Sequence, residues 1–255
     1  NLGGLLIHLN EFEQALTNLE KAIRLDENYA EAWANKGLCM AELGNFDDAF
    51  SCFERAVEAD SNYWKVWLMR GQIYLELNRP REALASLTKV DTFLLSHPQL
   101  WNLKIQGWLQ LGNLKEALWV CERGLNYFPD NPELHHKKIA VIELLQDDDL
   151  LLETIEEAIN RLPNLPEFHL ARGLWYSRHN FAKEAESSFT RTTELSPQNA
   201  TAWRFKGEML YKLEQFEDAL SAYETSVQLH PGNSIGWQGV GICKIRLHQF
   251  PEALS

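Results

Sequence analysis

The chain is 255 residues long and 45% hydrophobic, ordinary for a soluble protein, and it contains no run of about 18 apolar residues such as a membrane helix requires. Its formal net charge of −12 repels phosphate backbones, which excludes nucleic acid as a principal ligand. Four cysteines, Cys39, Cys52, Cys121 and Cys243, fall on the apolar beat of predicted helices with no CxxC pair, so buried reduced thiols and a reducing, cytoplasmic compartment are expected rather than disulfides or zinc.

In chain order, residues 1–29 read as a partial helix pair, with Asn1 inside a first helix and Ala15 and Leu19 on the second. Residues 30–63 form the type unit. Ala30 to Leu43 carries Trp33, Gly37 and Met40 on one helical stripe, Gly44-Asn45 ends that helix, and Phe46 to Ala59 turns Ala49, Phe53, Ala56 and Val57 back onto it. A turn this short predicts an antiparallel pair, with Gly37 and Ala49 where the backbones cross closely and Trp33 and Phe53 filling the space where they diverge. Residues 64–97 repeat the layout with Trp67, Gly71, Ala83 and Leu87. Residues 98–131 place Ile105 at the glycine position and Gly124 at the second alanine.

Residues 132–165 depart furthest: Ile139 stands for the glycine, Leu151 for the alanine, and Gln146-Asp147-Asp148-Asp149 for the Gly-Asn turn. Two small residues have become large, which predicts a splayed pair and a bend or altered pitch near the middle of the chain. Residues 166–199 and 200–233 return to the layout with Gly173, Ala185, Phe189, Gly207, Ala219 and Tyr223, although Phe181 comes one position early. Residues 234–255 hold Trp237, Gly241 and Ala253 and end inside a second helix. The 34-residue frame thus predicts a single array over 1–255, cut from a longer one.

The beat is strict: Trp33, Trp67, Trp101, Trp203 and Trp237 lie 34 residues or a multiple apart, and His135 and His169 fill the two missing rungs. With the glycines, the alanines at 15, 49, 83, 117, 185, 219 and 253, and the closing Pro129, Pro163, Pro197 and Pro231, this layout resembles the tetratricopeptide repeat. The resemblance covers the whole chain. It implies an all-α fold, an α-solenoid of antiparallel helix pairs wound into a right-handed superhelix, with the first helix of each pair lining the concave side. It also implies a non-catalytic scaffold that holds a protein or peptide partner in that groove.

No catalytic constellation, metal set or cofactor motif appears. Adjacent His135 and His136 point about 100° apart on a helix and do not converge on an ion, and Asp147–Asp149 lack the spacing of a calcium loop. A ladder of cations, Lys36, Arg70, Lys104, Lys138, Arg172 and Lys206, keeps the 34-residue step; beside the glycine, these are expected to pack their stems between pairs rather than form a basic stripe for a ligand.

The family's ligand-contacting positions fall on Asn35, Lys65, Met69, Gln72, Asn102, Gln106, His136, Leu170, Leu174, Arg178, Arg204, Phe205, Glu208, Lys212 and Arg246, the groove residues the resemblance implies. Along the thirteenth position the charge changes sign from Glu42 and Glu76, through Gln110 and Leu144, to Arg178, Lys212 and Arg246, a gradient that would orient an extended peptide. The Lys-then-Asn pair by which chaperone-binding members grip a C-terminal tail occurs in no unit, which disfavours that partner. Alternatives to the scaffold are the substrate-selecting arm of an enzyme with its catalytic domain outside this chain, and a self-assembly module joined through terminal helices.

Overall fold

The computed structural model describes residues 11–90 and 97–247. The first helix expected around Asn1, and Ala253 with the second helix expected around it, lie outside these residues. The described residues form fourteen helices and no strand: α1 Phe12–Leu25, α2 Ala30–Glu42, α3 Phe46–Ala59, α4 Lys65–Glu76, α5 Pro80–Thr88, α6 Pro98–Gln110, α7 Leu114–Tyr127, α8 Pro132–Leu145, α9 Asp148–Arg161, α10 Pro166–Arg178, α11 Ala182–Leu195, α12 Ala200–Lys212, α13 Phe216–Leu229 and α14 Ser234–Arg246. Every second helix, from Phe12 to Phe216, starts on the 34-residue step. None of the described helices is long and apolar enough to cross a membrane.

The turn inside each pair is built the same way whatever its sequence. A residue just past the first helix is left-handed, at Gly44 (φ 80°), Asn78 (55°), Gly112 (72°), Gln146 (58°), Asn180 (62°) and Glu214 (62°), again 34 apart. At the first, the Gly44 N–H donates to the Ala41 carbonyl (2.9 Å) and the Asn45 N–H to Met40 (2.8 Å), the reciprocal pair that closes a helix C-terminus. The same two bonds recur at Asn78, Gly112, Asn180 and Glu214. Glycine is therefore the favoured residue here but not a required one.

Pair packing follows the glycine step. A Cβ on Gly37 would lie 2.7 Å from Phe53 and 3.0 Å from the Ala49 carbonyl; on Gly71, 2.7 Å from Leu87; on Gly173, 2.6 Å from Phe189; on Gly207, 3.0 Å from Tyr223. In each case the ring or branched chain comes sixteen residues later. The alanines between them, Ala49, Ala83, Ala185 and Ala219, are fully buried. Where Ile105 replaces glycine, the residue sixteen on is the small Cys121, and both sit in one core cluster.

The chain divides into two compact units, Asn1–Leu145 and Gln146–Ser255, and the boundary falls between α8 and α9, inside the repeat where splaying is expected. In the first unit the core runs from Ala15, Leu19, Ala32 and Cys39 through Phe53, Val66 and Ile73 to Leu87, Leu100, Trp101, Val120 and Leu134. In the second it runs from Ala185, Phe189 and Met209 to Leu210, Tyr223, Val227 and Cys243. All four cysteines are buried free thiols, and burial pushes Cys39 and Cys243 up to about 11 and Cys121 to about 12.

The rung residues are less uniformly core than the ladder suggests. Trp101 is buried, but Trp33 and Trp203 are only half-buried and Trp237 is 53% exposed. Three of them share a hydrogen bond: the indole N–H of Trp33, Trp203 and Trp237 donates to the carbonyl six residues back, at Glu27 (2.9 Å), Pro197 (2.9 Å) and Pro231 (2.8 Å). His135 and His169 make the same bond through Nε2 to Pro129 and Pro163, each 2.8 Å. Because a carbonyl only accepts, Nε2 carries the proton in both. At these five positions the rung ties its helix to the loop that precedes it, and an imidazole reaches that loop as an indole does.

Candidate functional site

First helices α2, α4, α6 and α8 carry the expected groove stripe of the first unit, and they enclose two adjoining cavities. One, of about 530 Å³, is lined by Phe12, Leu38, Glu42, Trp64, Lys65, Leu68, Met69, Gln72, His97 and Gln99. The other, of about 490 Å³, is lined by Gln72, Leu75, Glu76, His97, Pro98, Gln99, Asn102, Leu103, Gln106, Asn131, Glu133 and Lys137. Gln72, His97 and Gln99 belong to both, so the two form one trough.

The helical pitch explains the lining. Lys65, Leu68, Met69 and Gln72 fall on one face of α4, and Asn102, Leu103 and Gln106 on the equivalent face of α6. Leu38, Leu68, Met69, Leu75 and Leu103 supply apolar surface; Gln72, Gln99, Asn102, Gln106 and Asn131 supply amides. The charges are mixed: the Gln72 amide donates to Glu76 (3.0 Å), Lys137 lies 3.8 Å from Glu133, and the Lys65 ammonium sits 5.8 Å from the Trp64 ring. Two polar atoms in the walls, His97 Nδ1 and Asn102 Oδ1, are buried and have no hydrogen-bond partner among the described residues. Hydrogen bonding and apolar contact are what these walls offer a ligand.

Of the residues the resemblance implied, Lys65, Met69, Gln72, Asn102 and Gln106 therefore come together. Asn35 does not join them: it is buried, 8% exposed, and lines neither cavity. His136 is exposed but also lies outside both. In the second unit, Leu170, Leu174 and Phe205 pack against the buried Phe189 and Met209, with the Phe205 and Phe189 rings stacked at 5.3 Å. The Arg204 guanidinium lies 3.8 Å above Phe205 and 3.7 Å from Glu208, which also takes Lys212 at 3.3 Å. Arg178 is exposed, its Nε donating to the Leu174 carbonyl (3.4 Å), while Arg246 donates to the Tyr211 hydroxyl (3.1 Å). Glu208 sits among these cations and offsets part of the positive end of the charge gradient.

Trough residues absent from the implied set include Phe12, Trp64, His97, Gln99, Asn131 and Glu133. Gln99 and Glu133 occupy the second position of their units, so the stripe itself could have found them. His97 ends one unit immediately before Pro98, and only the proline marks its place; its ring lies 6.0 Å from that of Trp64.

The cation ladder is structural. Lys36 pairs with Glu20 (3.1 Å) and Arg172 with Glu156 (3.4 Å), in both cases a carboxylate sixteen residues earlier on the preceding second helix. Arg70 lies between the rings of Phe50, Trp67 and Tyr74 at 5.5–5.9 Å, and Lys206 lies 5.2 Å from the Trp203 ring. The acidic turn has a local role as well: the Asp147 carboxylate accepts from the Leu150 N–H (3.1 Å) and caps α9. No group of three or more His, Cys, Asp or Glu that could hold a metal ion occurs among the described residues.

A sequence profile of the tetratricopeptide repeat matches residues 2–63 and 170–234, and a second profile of the same repeat matches 42–107. No curated protein matches the chain. Among solved structures, the C-terminal part of a tetratricopeptide repeat-containing protein from Cytophaga hutchinsonii is 14% identical over 94% of this chain and 98% of its own, with a TM-score of 0.75. A tetratricopeptide repeat protein from Parabacteroides merdae is 13% identical over 94% and 95%, with a TM-score of 0.56. MamA from Desulfovibrio magneticus is 18% identical over 68% and 98%, with a TM-score of 0.54. At these identities the likeness is one of fold.

Proposed function

The chain belongs to the tetratricopeptide-repeat family, and we propose that it is a non-catalytic interaction scaffold whose residues 1–145 hold an extended segment of a partner protein in the trough of α2, α4, α6 and α8. The observation that carries this reading is the composition of the trough, an apolar wall interleaved with five amide side chains. A peptide leaving water must satisfy both its N–H and its C=O groups, and carboxamides offer donors and acceptors to both. Leu38, Leu68, Met69 and Leu103 then supply the apolar contact that backbone hydrogen bonds alone do not. His97 Nδ1 and Asn102 Oδ1, without a partner among the described residues, fit the same reading, since a buried polar atom costs free energy until a ligand or water satisfies it.

The test is selection of random peptides displayed on phage against the whole chain, followed by calorimetry on the enriched peptides. Gln72→Ala with Asn102→Ala should weaken their binding at least about tenfold with the thermal midpoint little changed, the loss expected when central contacts are truncated. Enriched peptides that bind the double variant as tightly as the parent would place the ligand elsewhere and end the trough proposal.

A further inference from the structure

The outward face of α7 carries a residue that no other repeat puts there. At the position of Trp119 the other units have Thr17, Ser51, Ala85, Glu153, Ser187, Ser221 and Ser255, all small or charged. Trp119 is 51% exposed and lines neither cavity of the trough. One turn on, the Arg123 guanidinium lies 4.8 Å from the Trp119 ring and 5.8 Å from that of Trp101. A further turn on, Tyr127 is 46% exposed and stacks on Trp101 at 5.5 Å. Lys115 precedes Trp119 by one turn and is exposed.

Arg123 also differs from its counterparts. Arg55 and Arg191 occupy the same register, and each closes on a glutamate three residues later, Glu58 at 2.7 Å and Glu194 at 3.1 Å. The third residue after Arg123 is Asn126, and among the described residues Arg123 makes no ion pair. Its guanidinium is held over aromatic rings with its N–H fork unused, the arrangement that takes a carboxylate bidentately. Exposed Trp beside Arg is the composition of an interface hot spot, and none of the corresponding positions named above holds an indole.

We propose that this face of α7 is a second docking surface, separate from the trough, and that its occupant is an acidic segment of a partner protein. Trp119 supplies the apolar anchor, Arg123 receives a carboxylate, and Lys115 adds attraction at the near end. The acidic choice rests on Arg123 rather than on net charge: Glu116 and Glu122 are also exposed on α7, but among the described residues neither pairs with the Arg123 guanidinium, and the carboxylate that neutralises Arg55 and Arg191 is missing there.

The experiment uses an array of short peptides of Glu, Asp, Leu and Phe, with a matched set in which Lys replaces every acid, probed with the whole chain. The acidic set should bind in preference to the Lys set, and more weakly at high salt. Trp119→Ser should reduce that binding at least about tenfold while melting as the parent does, because serine already occupies this position in four other repeats. Arg123→Glu, which keeps the indole, should shift the preference toward the Lys set. Gln72→Ala with Asn102→Ala should leave acidic-peptide binding intact, so failure of the trough and failure of this face are told apart. Equal binding of both peptide sets, binding unchanged by Trp119→Ser, or loss in the trough variant overturns the proposal. So does a dimer in sedimentation that Trp119→Ser dissolves, which makes the occupant a second copy of the chain.

Discussion

At positions 135 and 169 an imidazole does the work of an indole, and the substitution brings a titratable group into a rung that elsewhere has none. Burial of His169 pushes its pKa below the usual value of about 6.5, and the Arg172 and Arg191 cations add to the shift against the opposing hydrogen bond to Pro163. The geometry agrees: Nε2–H is committed to Pro163, and Nδ1 is buried without a partner among the described residues, so a proton there would be an unsatisfied buried donor. Above about pH 6.5 the imidazole is neutral in both folded and unfolded chains. As pH falls from there to the lowered folded value, the unfolded chain binds the proton first, and stability is lost across that window. His169→Trp restores the donor of Trp33 and Trp203 and removes the titration. Urea midpoints measured between pH 7 and pH 5 should fall more steeply for the parent than for His169→Trp, and parallel slopes would show that His169 does not titrate as argued.

Helices and turns show where a sequence is transparent and where it is not. The helix pairs were legible because the 34-residue step repeats a chemical necessity: a small residue wherever Phe53, Leu87, Phe189 or Tyr223 presses on the partner backbone. The turn at residue 146 was not. Gln146-Asp147 looks unlike Gly44-Asn45, yet Gln146 takes the same left-handed conformation at φ 58°. Such a residue is strained by comparison with glycine. Glu214, exposed at φ 62° with the same two capping bonds as Gly44, is the cleanest place to measure that strain. Removing its Cβ should stabilise the chain by about 0.5–1 kcal/mol, the left-handed penalty less the extra freedom glycine gains when unfolded. Asn180→Gly should gain less, since asparagine tolerates this region. Urea titration of both variants decides the matter, and a Glu214→Gly chain no more stable than the parent would sink it.

Across the whole chain, the site was harder to read than the fold. Register alone put Asn35 and Phe205 on the ligand stripe, but exposure depends on what the neighbouring helices bring: Asn35 is buried, and Phe205 is taken up by stacking on Phe189. Conversely His97 and Trp64 reach the trough from the junctions between pairs, which the stripe does not sample. The same neighbour dependence governs stability, because each repeat of an array touches only the next. Gly173→Ala tests how far a disturbance travels. The new Cβ would stand 2.6 Å from Phe189, whose ring is held by Phe205 and Met209 and has nowhere to move, so α10 and α11 must separate. Overpacking of this kind costs about 1–3 kcal/mol. Native-state hydrogen exchange should show that loss in the amides of α10, α11 and α12, with α2 to α5 in the other compact unit keeping their protection. If protection fell equally in all of these helices, the two units would unfold as a single cooperative block, and the nearest-neighbour account of this array would be wrong.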